Sequence, residues 1–325
     1  MELAKASDAG EPGEQGAGLG NFADALISRI RELGHPLCAG LDPHLDLIPS
    51  VFRRGSMSPR DPQTVASVEE FLTAVIDRLA GRVAIVKPQI AFFEQLGWRG
   101  IQLLEKTVAH ARRRDLLVLL DAKRGDIGST ADGYVRAYLS ADAALPVDAM
   151  TLNPYLGLDA LEPFATAAEK NARGLFVIAK TSNPGSGDLQ DHIVQGDRVR
   201  GAPLYEDVAA LLAPMALRLV GPETGWSSLG VVVGATYPDQ ADKVRHRLPK
   251  ALFLVPGYGS QGGGARDSIR GFAPGPNGLE GGIVSSSRAI LFPADGKTDD
   301  AGAWEKAVDA AIARATDELG EAIQG

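Results

Sequence analysis

At 325 residues the chain is long enough for one large core or two ordinary ones, and 45% hydrophobic with 23% charged residues is ordinary for a globular protein. A net charge of −8 argues against a nucleic-acid surface, which needs a basic patch, although it leaves room for a local anion site. Cys38 is the only cysteine, so an intramolecular disulfide is excluded and a cytoplasmic location is expected; no apolar run reaches the length of a membrane span.

Residues 1–20, rich in glycine and acidic residues, lack the apolar centre of a signal peptide and read as a flexible tail. The rest, residues 21–325, reads as a single domain. A helix is expected over Asn21–Leu33. Strand-like apolar runs then recur at Pro36–Asp42, Arg82–Lys87, Leu116–Lys123, Ala149–Asn153, Gly174–Lys180, Gly230–Thr236, Ala251–Gly257 and Gly282–Arg288. They are continuous rather than alternating, as buried parallel strands are. Between them lie amphipathic stretches. Val65, Val68, Leu72, Val75, Ile76 and Leu79 keep helical spacing, as do Ile101, Leu104, Val108 and Ala111. A last helix is expected over Ala301–Ile323. Eight strands alternating with helices in about 300 residues fit an α/β fold of the closed (β/α)8 barrel type, with the first helix plugging its bottom. An open doubly wound sheet is the alternative. It would want a glycine-rich turn after the first strand, whereas here that turn comes late.

A barrel carries its function at the C-terminal ends of its strands. Polar residues fall there repeatedly: Asp42 and His44 after strand one, Lys87 and Gln89 after strand two, Asn153 after strand four, Lys180 and Ser182 after strand five, Arg288 after strand eight. The densest group is Asp121-Ala-Lys123-Arg-Gly-Asp126 at the end of strand three. Residues two apart on a strand share a face, so Asp121 and Lys123 should point the same way. Gly125 turns the chain and Asp126 follows on a loop. Burying such charges is costly, which leaves either a structural ion-pair cluster or a functional site. Residues 256–282 hold ten glycines in 27, suited to bringing backbone amides close to an anion, and Arg288 suits phosphate oxygens. Gln261 could reach over a bound phosphate when that loop closes.

Together these motifs resemble the orotidine 5'-phosphate decarboxylase family, specifically its longer bacterial subgroup, over about residues 21–325. The family signature Asp-x-Lys-x-x-Asp, followed by Ile and then Thr, stands here as Asp121, Lys123, Asp126, Ile127 and Thr130. More familiar members have Pro and Asn between the last two; this chain has Gly128 and Ser129. Asp42, Lys87, Ser182, Pro256, Gln261 and Arg288 match the strand-end anchors.

The resemblance implies decarboxylation of orotidine 5'-phosphate to uridine 5'-phosphate, the last step of pyrimidine nucleotide synthesis, with no metal and no organic cofactor. It implies Lys123 as proton donor, Asp121 beside the departing carboxylate, and Lys87 and Asp126 extending the charge array. Asp42 and Lys87 would hold ribose hydroxyls, Ser182 the base, and Gln261 and Arg288 the phosphate. It further implies a homodimer in which Asp126, Ile127 and Thr130 reach into the neighbouring subunit's site. Residues 188–202 take no role from it. The rival readings are a magnesium-dependent sugar-phosphate decarboxylase or synthase on the same barrel, a Schiff-base aldolase, and a non-catalytic nucleotide-phosphate binding barrel. The aldolase is disfavoured because flanking aspartates would keep Lys123 charged.

Overall fold

The computed structural model describes residues 20–195, 198–259 and 263–325. The expected tail, apart from Gly20, lies outside them.

Eight parallel strands close into a barrel: β1 (Leu37–Leu41), β2 (Ile85–Pro88), β3 (Leu117–Arg124), β4 (Ala149–Leu152), β5 (Gly174–Lys180), β6 (Ser227–Val233), β7 (Ala251–Val255) and β8 (Gly282–Ser286), with β8 pairing back onto β1. Closure removes the open-sheet alternative. Around it stand α2 (Pro62–Leu79), α3 (Trp98–Arg113), α4 (Gly128–Tyr138), α5 (Leu158–Asn171), α6 (Leu204–Arg218), α7 (Pro238–Arg247) and α8 (Ala301–Gln324), preceded by α1 (Phe22–Leu33). β5 keeps the bounds read from sequence. β2 starts three residues later than expected, and β6 runs three residues earlier at both ends.

Two apolar clusters account for this arrangement. The larger lies between the strands' outer faces and the helices, and contains Val68, Phe71, Leu104, Val108, Phe164, Trp304 and Val308. The smaller fills the barrel interior and includes Cys38, Ile85, Leu117, Leu119, Ala149, Phe176, Leu252 and Ile283 together with Phe22, Leu26, Ile27 and Ile30 of α1. α1 therefore closes the N-terminal end, as its pattern implied. Asn21 caps it by accepting from the amides of Ala23 and Asp24, and Gly34 ends it at φ +76°. Phe22 meets Phe176 edge to face at 6.3 Å, in the space left by Gly174.

The glycine-rich crossover from β7 to β8 holds, among the described residues, a single turn, Ala265–Ser268, and a hairpin of Ala273–Gly275 with Gly278–Glu280. One expectation is refined. The loop expected after Gly125 is short, because α4 begins at Gly128 and takes Thr130 into its first turn. α4 buries only Ala131 fully, so its sequence carries little of the apolar spacing that exposes a helix to sequence reading. A second hairpin, Ile193–Gln195 with Arg200–Pro203, stands between β5 and α6.

Candidate active site

Along each strand the inward positions alternate, and the register that is apolar low in the barrel turns polar at its C-terminal end. Two residues beyond inward Ile85 comes Lys87; two beyond Leu119 comes Asp121; two beyond Ala149 comes Thr151; two beyond Ile283 comes Ser285. The polar set is therefore delivered by the same alternation that builds the floor.

Asp121 is the centre of this set. Its Oδ2 accepts from Lys87 Nζ at 2.9 Å and its Oδ1 from Lys123 Nζ at 2.6 Å; the Thr151 hydroxyl donates to Oδ1 at 3.0 Å. Lys87 and Asp121 are buried, whereas the Lys123 side chain remains 43% exposed at the mouth. Burial by itself would raise the Asp121 carboxyl, but Lys87 and Lys123 outweigh it and hold the group well below the usual carboxylate range. Burial would likewise pull the Lys87 ammonium down; Asp121 and Asp42 reverse that and hold it above its ordinary value. Low in this group Cys38 is buried, and desolvation pushes its thiol up to about 12, which makes it an inert part of the floor.

Lys123 reaches its position through a distorted backbone. Its φ is +48°, a left-handed conformation rare for a side chain of this size, and the register between β3 and β4 shifts between Leu120 and Arg124. Thr151 Oγ1 accepts from the amides of Ala122 and Lys123, both at 2.9 Å, while donating to Asp121. One hydroxyl thus supports the bulge and orients the carboxylate. Sequence reading passed over Thr151; its signal is a lone threonine two residues past an inward alanine in a four-residue strand.

The other expected residues gather at the same end with different degrees of engagement. Asp42 faces Lys87, and its Oδ1 is buried without a hydrogen-bond partner among the described residues. Ser182 and Pro256, both half-buried, follow β5 and β7. Arg288 follows β8, is exposed, and makes no ion pair among the described residues. Gln261 lies outside the described residues. Asp126 does not join the Asp121 cluster of its own chain. Its Oδ1 accepts from the Ile127 amide at 2.8 Å; Ile127 (58% exposed) precedes α4 and Thr130 is exposed in its first turn. Lys180 departs from the strand-end pattern: it turns to Asp191 at 2.8 Å instead of joining the array.

An acceptor carboxylate between two ammoniums, at the open end of a closed parallel barrel, is a preorganised charge array beside an accessible face. Residues 35–306 match the orotidine 5'-phosphate decarboxylase / HUMPS family. The chain belongs to that family. An orotidine 5'-phosphate decarboxylase of Rhodopirellula baltica is 41% identical over 308 residues, covering 94% of this chain and 99% of the relative. One from Deinococcus radiodurans is 39% identical over 276 residues, covering 83% and 89%. Among solved structures, the OMP decarboxylase of Leishmania donovani superposes with a TM-score of 0.71 at 30% identity, covering 94% of this chain and 99% of that one. The matched region spans the whole decarboxylase-family barrel from β1 to the start of α8, so every strand end described above lies inside it.

Proposed function

We propose that this chain decarboxylates orotidine 5'-phosphate to uridine 5'-phosphate and carbon dioxide, the closing step of pyrimidine nucleotide synthesis, without metal or organic cofactor. The observation that carries it is the Lys87–Asp121–Lys123 array in a member of this family. The carbon–carbon bond to the departing carboxylate breaks, its electron pair stays on the pyrimidine ring, and the Lys123 ammonium gives that carbon a proton. Asp121 holds Lys123 and lies beside the leaving group; Lys87 balances its charge. Asp42, whose Oδ1 has no hydrogen-bond partner among the described residues, takes a ribose hydroxyl with Lys87. Ser182 addresses the base beside Pro256, and Gln261 and Arg288 take the phosphate. Remote phosphate binding then contributes to rate by ordering the site. Enzymes lower barriers by about 8–23 kcal/mol, more than one lysine supplies, so the array acts as a unit. A divalent cation is a poor fit at Asp121, whose oxygens already face two ammoniums and a hydroxyl. An unpaired, buried Cys38 is in keeping with a cytoplasmic enzyme.

The test is the ultraviolet absorbance of orotidine 5'-phosphate with purified protein, with and without a chelator. Turnover that survives chelation is expected. No absorbance change would remove the reading, and turnover restored only by magnesium would favour the sugar-phosphate alternative.

The enzyme works as a homodimer with two composite sites. Asp126, Ile127 and Thr130 of each chain complete the neighbour's site. Supporting this, Asp126 is unengaged with its own Lys123, and Ile127 stands exposed close to the loop that bears Tyr155, 78% exposed, and Leu156. The Arg124 carbonyl accepts from the Asn153 amide at 2.8 Å, which holds those two loops together. Mixing inactive Lys123→Ala chains with inactive Asp126→Ala chains under subunit exchange gives one intact site per mixed dimer. Activity is expected to rise toward one quarter of wild type, since about half the dimers are mixed. Demonstrated exchange with no gain would place Asp126 in its own chain's site.

A further inference from the structure

We propose that Lys180, Gln190 and Asp191 form a positioning latch that sets the Ser182 hydroxyl against the pyrimidine base; this rests on the reading of Ser182 as the base contact. The segment after β5 is otherwise without a role, yet its side chains converge on one strand end.

Lys180 is the last residue of β5, just beyond a register shift against β6. It is wholly buried. Its Nζ lies 2.8 Å from Asp191 Oδ1, 4.9 Å from the centre of the Tyr237 ring and 5.8 Å from that of Tyr205. An ammonium in that position is tolerated only with its carboxylate in place, so burying Lys180 obliges residues 187–191 to lie over the strand end. The single helical turn Gly187–Gln190 brings Gln190 there as well. Its Oε1 accepts from the Thr181 amide at 2.9 Å, and its Nε2 donates to Thr181 Oγ1 at 2.9 Å. Thr181 Oγ1 passes the bond on to Asn183 Oδ1 at 2.7 Å. Both neighbours of Ser182 are thereby held from one side.

The opposite side is held by β6 and the residues after it. Thr236 Oγ1 donates to the Ser182 carbonyl at 3.2 Å, and the Gly234 amide donates to the Lys180 carbonyl at 3.0 Å. Gly234 is required there: a Cβ would come within 2.8 Å of Ser182. Ser182 is therefore clamped between a strand and an insertion, at the same end of the barrel as Lys87 and Lys123. Hydroxyl recognition of a base needs placement within about 0.5 Å, and the clamp supplies it. Lys180, Gln190 and Asp191 touch no reacting atom in this scheme. They act through Ser182, as positioning residues.

The experiment measures calorimetric affinity of the full chain for uridine 5'-phosphate and for ribose 5-phosphate, which lacks the base, in wild type, Gln190→Ala, Asp191→Asn and Ser182→Ala. Each latch variant is expected to weaken the nucleotide about tenfold, the scale of a lost hydrogen bond, with ribose 5-phosphate unchanged. Adding Gln190→Ala to Ser182→Ala should change the nucleotide affinity by less than about twofold, because both act on one contact. Asp191→Asn strands a buried ammonium; if it fails to fold, Gln190→Ala, which removes only neutral bonds, decides. Equal losses for both ligands would overturn the latch in favour of general loosening. So would an unchanged Gln190→Ala beside a weakened Ser182→Ala, which leaves the base contact standing. An unchanged Ser182→Ala removes the base contact and the latch with it.

Discussion

The two ends of the barrel are built from one alternation and put to opposite uses. At the N-terminal end the inward positions are Ile85, Leu117, Leu119, Phe176 and Ile283, sealed by Phe22 of α1. One or two inward steps along the same strands stand Lys87, Asp121, Lys123 and Ser285. Two strand residues span only about 7 Å, so charge sits almost directly upon an apolar floor. The largely apolar floor lowers the local dielectric beneath the charges. Rim variants should consequently cost activity with little stability, and floor variants the reverse.

The largest effect expected is at the rim. Lys123→Ala should reduce turnover at least about a thousandfold while the protein stays folded and still binds a nucleotide monophosphate, because the side chain is partly exposed and fills no packed space. Activity above a few per cent of wild type, measured in the absorbance assay, would take the proton-donor role from Lys123.

The floor should answer in the other currency. Phe22→Ala empties a fully buried site against Phe176 and should cost about 3–5 kcal/mol in denaturant unfolding, with kcat/KM per folded molecule unchanged below the transition. A large loss of kcat/KM with stability intact would erase the division between the two ends.

Asp121 belongs to both accounts, and pH separates them. Its carboxyl is held below its ordinary value in the folded chain, so the stabilisation it brings is complete above the unfolded value of about 3.9 and is lost as pH falls through the folded one. Lys87 is held above its ordinary value, so its share is complete below about 10.4 and is lost only as pH rises through its folded value. The stability difference between wild type and Asp121→Asn should be level from about pH 5 to 8 and shrink below about pH 4. A difference of constant size through the acid range would mean that the array adds nothing electrostatic to the fold.

Arg288 gives the smallest effect. Arg288→Ala should weaken uridine 5'-phosphate by about 1.5–3 kcal/mol for each charged hydrogen bond lost and leave uridine unaffected. Calorimetric titration of both ligands reads the difference. Equal losses would place Arg288 away from the phosphate.

Much of the barrel was legible before folding because buried parallel strands write continuous apolar runs, and α2, α3 and α8 write helical spacing. α4 was not, since Gly128-Ser-Thr-Ala-Asp-Gly133 has poor helix formers and one buried alanine; packing on its neighbours holds it. The alternation Asp121–Lys123 and its family signature located the array, and the strand-end positions of Asp42, Lys87, Ser182, Pro256 and Arg288 put them at one face. Three matters required tertiary structure. Thr151 became part of the array only when β4 lay beside the bulge in β3. Lys180, a strand-end lysine like Lys87, turned to Asp191 because a register shift against β6 changed where its side chain leads. Within the glycine-rich stretch before β8 a hairpin packs under α8, where the Gln324 side chain donates to the Asn277 carbonyl. Sequence alternation determines which residues share a face of one strand, since that depends on local geometry alone. Which way a face points after a bulge, and what meets it there, is set by the register of neighbouring strands, a relation between residues far apart in the chain.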